Sequence, residues 1–141
     1  MMTRNPEKIR TILIISDDEE MASVWETLFE QKDCRVFTET SVETGLQSAR
    51  LLVPTLIVVN LDIPESDKLE LCRALRDTTD GTLLLIASKN NYDDFTNYQY
   101  AGVDEFIRTP ISPMAFLVKT LAWLTRQEWR IPNSLPIRAY V

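Results

Sequence analysis

An α/β fold with a doubly wound parallel sheet is predicted by three observations. Short, almost wholly apolar runs recur along the chain: Thr11–Ile15, Leu56–Val59 and Thr82–Ala87. Segments with helical apolar spacing separate them, and the turn-forming residues Pro54, Gly81, Gly102 and Pro110 mark the joints. Strands apolar on both faces must be covered on both faces, which is the signature of parallel strands joined by helices.

Each element has its own justification. The first strand, Thr11–Ile15, stops at the acidic stretch Ser16–Glu20, which suits a helix N-terminus through the macrodipole. Met21, Val24, Trp25, Leu28 and Phe29 then recur at helical spacing and define the inward stripe of the first helix. Cys34–Thr38 is mixed in polarity, as expected of an edge strand. The second helix runs from Val42 to Leu52 with Val42, Leu46 and Ala49 inward, and Pro54 ends it. The third strand, Leu56–Val59, ends at Asn60. A helix over Ser66–Arg76 follows, with Leu69, Leu71, Cys72 and Leu75 inward. After Thr82–Ala87, a weaker helix from Tyr92 to Ala101 is closed by Gly102. Val103–Arg108 is the fifth strand. Pro110 and Pro113 introduce a last helix from Met114 to about Arg126. Right-handed crossovers and burial of both faces favour the strand order 2-1-3-4-5. The chain divides into an N-terminal extension (1–10), one domain (11–126) and a C-terminal tail or linker (127–141).

Composition removes several function classes. The chain has 141 residues, enough for one real core. It has no histidine, which excludes His-based triads, His general bases and most zinc sites. Residues 11–125 hold 9 basic and 19 acidic residues, a net charge of −10 that repels nucleic acid and anionic membrane. With only three glycines and no glycine-rich loop after the first strand, a nucleotide or flavin phosphate site is not expected. Cys34 and Cys72 lie in apolar patterns and read as reduced core residues. The N-terminus is no signal peptide, and no apolar run approaches a membrane span, so a cytoplasmic location is expected.

In a parallel sheet of this kind, function gathers at the carboxyl ends of the strands: Ser16–Glu19, Asn60–Asp62, Ala87–Lys89 and Arg108–Pro110. Four segments there, Ile-Leu-Ile-Ile-Ser-Asp-Asp-Glu (12–19), Pro-Thr-Leu-Ile-Val-Val-Asn-Leu-Asp-Ile-Pro (54–64), Leu-Glu-Leu-Cys-Arg-Ala-Leu-Arg (69–76) and Ala-Gly-Val-Asp-Glu-Phe-Ile-Arg-Thr-Pro-Ile-Ser-Pro (101–113), occur in order on the expected elements. Together they make the chain, from about Thr11 to Arg126, resemble the receiver domain of two-component response regulators. The resemblance implies a flavodoxin-like (βα)5 fold. It also implies phosphoryl transfer from a histidine kinase to an aspartate at the end of strand three, with Mg²⁺ held by an acidic pair after strand one. A hydroxyl after strand four and a lysine after strand five would bind the phosphoryl oxygens.

At the positions matching that machinery, most of the expected side chains are missing. The acidic pair is Ser16-Asp17, the phosphoacceptor position is Asn60, the hydroxyl position is Ala87 and the lysine position is Thr109. The glycine expected four residues after Pro64 is Lys68. An amide forms no acyl phosphate, and without one the missing hydroxyl and cation have no partner. The expectation is therefore a degenerate, or pseudo-, receiver: not an enzyme, with no cofactor beyond weak Mg²⁺ at Asp17, Asn60 and Asp62. The alternative is a phosphoryl-accepting regulator with a displaced acceptor such as Asp62. The expected partner is a protein, either a signalling protein or an output domain. The last helix is apolar on its outer side as well. Phe106, Val118, Leu121 and Ala122 are expected to form an interaction face, covered by a second copy in a homodimer or by residues 129–141.

Overall fold

The structure, a computed structural model, describes residues 9–87 and 95–140, with side chains as far as Gln127. Ten elements alternate: β1 (Thr11–Ser16), α1 (Glu19–Glu30), β2 (Arg35–Glu39), α2 (Val42–Leu52), β3 (Leu56–Asn60), α3 (Glu65–Arg76), β4 (Thr82–Ala87), α4 (Phe95–Ala101), β5 (Glu105–Arg108) and α5 (Pro113–Tyr140). All strand pairs are parallel and the order is β2-β1-β3-β4-β5, as the crossover rule predicts. The mixed-polarity strands β2 and β5 occupy the edges, and the apolar strands β1, β3 and β4 fill the middle.

Strand alternation sorts the core into two layers. Ile12, Ile14, Val58, Leu84, Ile86 and Ile107 face α1 and α5, where Trp25 stacks on Phe116 with ring centroids 4.3 Å apart. Leu13, Ile15, Ile57, Val59 and Leu85 face the other way, with Ala49, Leu71, Cys72, Leu75 and Tyr98 of α2, α3 and α4. Both cysteines are free and buried. Helix starts follow local chemistry: the Asp18 carboxylate caps α1 by accepting from the Met21 N–H, and the Ser41 hydroxyl caps α2 by accepting from the Thr44 N–H. Gly102 ends α4 at φ +109°, where a Cβ would strike the Arg76 side chain.

Three expectations need correction. Val24 is 44 % exposed, because the buried stripe of α1 centres on Ala22, Trp25 and Phe29. Leu121 does not point away from the domain: it is half-buried and packs on the core layer that α5 shares with α1. The last helix does not stop near Arg126; its backbone continues through Pro132 and Pro136 to Tyr140. No glycine or asparagine stop stands between 126 and 131, and each proline removes one helical hydrogen bond without ending the helix here. The expected start of the fourth helix at Tyr92, the strand end at Lys89 and the extension before Ile9 lie outside the described residues.

Candidate functional site

The parallel register places Ser16 directly opposite Asn60 at the ends of β1 and β3. Ser16 is 1 % exposed, and its hydroxyl is fully engaged. It accepts from the Asp18 N–H at 3.0 Å and from the Asn60 Nδ2–H at 3.2 Å, and it donates to the Asp18 carbonyl at 3.2 Å. Asp17 bridges the same two strand ends: its N–H donates to the Asn60 carbonyl at 3.3 Å, and its Oδ2 accepts the Asp62 N–H at 2.8 Å. The loop after β3 is therefore tied to the loop after β1 by a net of neutral groups with one carboxylate in it.

The second pair lies at the ends of β4 and β5. The Thr109 N–H and hydroxyl both donate to the Ala87 carbonyl, at 3.0 and 3.2 Å, and the Thr109–Pro110 peptide is cis. The structure thus gathers Ser16, Asp17, Asn60 and Asp62 into one network and joins Ala87 to Thr109. It does not unite the four residues expected to form an interaction face. Phe106 is half-buried on the α4 side, with its ring 5.6 Å from Tyr98 and 5.5 Å from Phe95. Val118 (63 % exposed) and Ala122 lie open on α5, and Leu121 belongs to the opposite core layer.

The donor set does not fit Mg²⁺ well. This cation demands near-octahedral oxygen ligands and dehydrates reluctantly, so carboxylates must offset the cost. Of the expected ligands, Asn60 is neutral and hydrogen-bonded to Ser16, and Asp17 already accepts from Asp62. Asp18 is spent on capping α1. Among the described residues, no group of three or more His, Cys, Asp or Glu side chains is placed to hold a metal ion.

Two polar clusters escaped the sequence reading. Glu65, Lys68 and Tyr98 meet between α3 and α4: Lys68 Nζ lies 3.6 Å from Glu65 Oε1, and the Tyr98 hydroxyl donates to Glu65 Oε2 at 2.8 Å. The available signal was positional, since Lys68 shares the i, i+3, i+4, i+7 stripe with Leu71, Cys72 and Leu75. Beside them, burial pushes the Cys72 thiol up to about 12, with the Lys68 charge opposing and the Glu65 charge adding to the rise. On the β5–α5 face, Glu105 accepts from Lys119 Nζ and Trp123 Nε1, both at 2.7 Å, and the Arg126 guanidinium sits 4.5 Å above the Trp123 ring. Burial tends to raise the Glu105 carboxyl, but the hydrogen bonds from Lys119 and Trp123 and the charges of Lys119 and Arg126 outweigh it and hold it below its ordinary value.

No helix of the described residues is long and apolar enough to cross a membrane. The chain is 29 % identical over 124 residues to the transcriptional regulatory protein AfsQ1 of Streptomyces coelicolor, covering 88 % of this chain and 55 % of that protein. It is 30 % identical over 131 residues to the response regulator ArlR of Staphylococcus saprophyticus, covering 92 % and 58 %. It therefore spans little more than half the length of these curated relatives. In fold it is similar to a CheY-like receiver domain protein from Methanospirillum hungatei, with a TM-score of 0.78 at 20 % identity over 86 % of this chain and 98 % of that one. Residues 12–121, from β1 into α5, match the response regulator receiver domain as a family, and with the sheet order and strand-end layout above, the chain belongs to that family of two-component signalling modules.

Proposed function

We propose that this receiver domain signals by binding a protein partner and is not switched by aspartyl phosphorylation. The observation that carries the reading is the Asn60 to Ser16 hydrogen bond. An amide and a hydroxyl satisfy each other where the family's mechanism needs two carboxylates. Ala87 brings no hydroxyl and Thr109 no cation, and the Thr109 hydroxyl is turned to the Ala87 carbonyl. The partner is a signalling protein or an output domain, and the acidic body argues against direct contact with nucleic acid or anionic membrane.

Incubation with acetyl phosphate and Mg²⁺ followed by intact mass tests this. The expected result is an unchanged mass. A gain of one phosphoryl group that Asp62→Asn abolishes would establish the displaced acceptor instead. We place the homodimer on the outer side of α5, where Met114 and Val118 are exposed beside Ala122. Burial of a few hundred Å² of such surface recovers on the order of several kcal/mol before association costs. By light scattering, Val118→Glu should convert a dimer to a monomer. A wild-type chain that is already monomeric at every concentration rules the dimer out.

A further inference from the structure

We propose that Glu65 is a latch that fixes α4 to the first turn of α3 and so holds Tyr98 and Phe106 in a single arrangement. Glu65 opens α3 immediately after the loop that leaves Asn60, and its two carboxylate oxygens serve different elements. Oε1 faces the Lys68 ammonium from within α3, and Oε2 accepts the hydroxyl of Tyr98 from α4. Tyr98 is 1 % exposed, and its ring stacks on Phe106 of β5 at an interplanar angle of 24°, with Phe95 against the same ring. A continuous path therefore runs from the strand-end loop through Glu65 and Tyr98 to the middle of β5.

The chemistry makes this path stiff. The Lys68 side chain is 9 % exposed, and Glu65 is its ion-pair partner. The Lys68 charge lies 3.6 Å from a Glu65 side chain that is 39 % exposed, so the pair steers the carboxylate towards one orientation. The carboxylate in turn orients the Tyr98 hydroxyl through a charge-assisted hydrogen bond. The described part of α4, Phe95–Ala101, is short, and contacts such as these contribute to its order. Glu65 and Lys68 are positioning residues, and the face bearing Phe106 is presented ready-made. The latch stands apart from the chemistry at residue 60, so either reading can fail alone.

Amide hydrogen exchange on the full chain tests the latch. In Tyr98→Phe and Glu65→Ala, the α4 amides should exchange at least tenfold faster while those of β1 and β3 keep their native rates. Glu65→Gln retains an oxygen for Tyr98, so it should restore most of the α4 protection lost in Glu65→Ala. Unchanged α4 exchange in Tyr98→Phe would overturn the latch. So would an equal acceleration in β1, β3 and α4, which would mean that the triad only adds global stability. Should Tyr98→Phe fail to fold, the comparison of Glu65→Gln with Glu65→Ala decides.

Discussion

The Ser16 hydroxyl accepts the Asn60 side-chain amide at 3.2 Å, across two strand ends that the parallel register places opposite each other. Replacing Asn60 by Asp removes that donor and sets a second carboxylate close to Asp17. The loss of one hydrogen bond predicts a stability decrease of about 1 kcal/mol. Because the new carboxylate repels its neighbour, millimolar Mg²⁺ should raise the melting temperature of Asn60→Asp and leave that of the wild type unchanged. Thermal melts with and without Mg²⁺ check both halves. An equal Mg²⁺ response in the two proteins would contradict the reading of the donor set.

Glu105 makes the domain sensitive to acid. Its folded pKa lies below the ordinary value of 4.5, so its stabilising contribution is fully present above that value and is lost as pH falls through the lower folded value. Glu105→Gln cannot titrate and loses the Lys119 ion pair at all pH values. Denaturant melts should show the two proteins differing at neutral pH and converging in acid. A constant difference would mean that the carboxylate charge is irrelevant there.

Cys72 sets an alkaline counterpart. The thiol is pushed from 9.0 up to about 12, so the folded chain keeps a proton that the unfolded chain loses. Stability from this source is complete below pH 9 and declines as pH climbs towards 12. Cys72→Ala should therefore lose stability less steeply over that range than the wild type, by at most about 1.4 kcal/mol per pH unit. Parallel declines would show that the thiol proton plays no part.

Val53 ends α2 in the left-handed region, at φ 45° and ψ 65°, while its N–H donates to the Ala49 carbonyl. A β-branched side chain is strained there, and it is exposed, so it returns little by packing. Val53→Gly should raise stability by about 1 kcal/mol, read as a higher melting temperature. A decrease would mean that the side chain packs better than its exposure implies.

Much of the fold was legible because burial on both faces leaves polar residues only at the ends of β1, β3 and β4, and such runs are unmistakable. The strand-end motifs located Ser16, Asn60, Ala87 and Thr109 for a similar reason: a parallel sheet brings all its carboxyl ends to one edge. What periodicity could not show is what each helix meets. Leu121 lies on the flank of α5, and contact between α5 and α1 widens the buried arc to include it. Lys68 stands at i+3 from Glu65 within α3, but the Tyr98 hydroxyl that joins Glu65 comes from α4, a contact that spacing within one helix does not show. The continuation of α5 beyond Arg126 had no local signal, because Pro132 and Pro136 argue for a stop.

The central claim is that the ends of β1 and β3 close on each other through a network with a single carboxylate, Asp17, and leave no receptor for a phosphoryl group. Backbone amide NMR spectra recorded with Mg²⁺ and beryllofluoride, a phosphoryl mimic, test it most directly. The account predicts that the resonances of Ser16, Asp17, Asn60, Ala87 and Thr109 stay where they are in buffer alone. Saturable shifts at those residues, extending to Phe106, would contradict it and show a receiver that still takes the group.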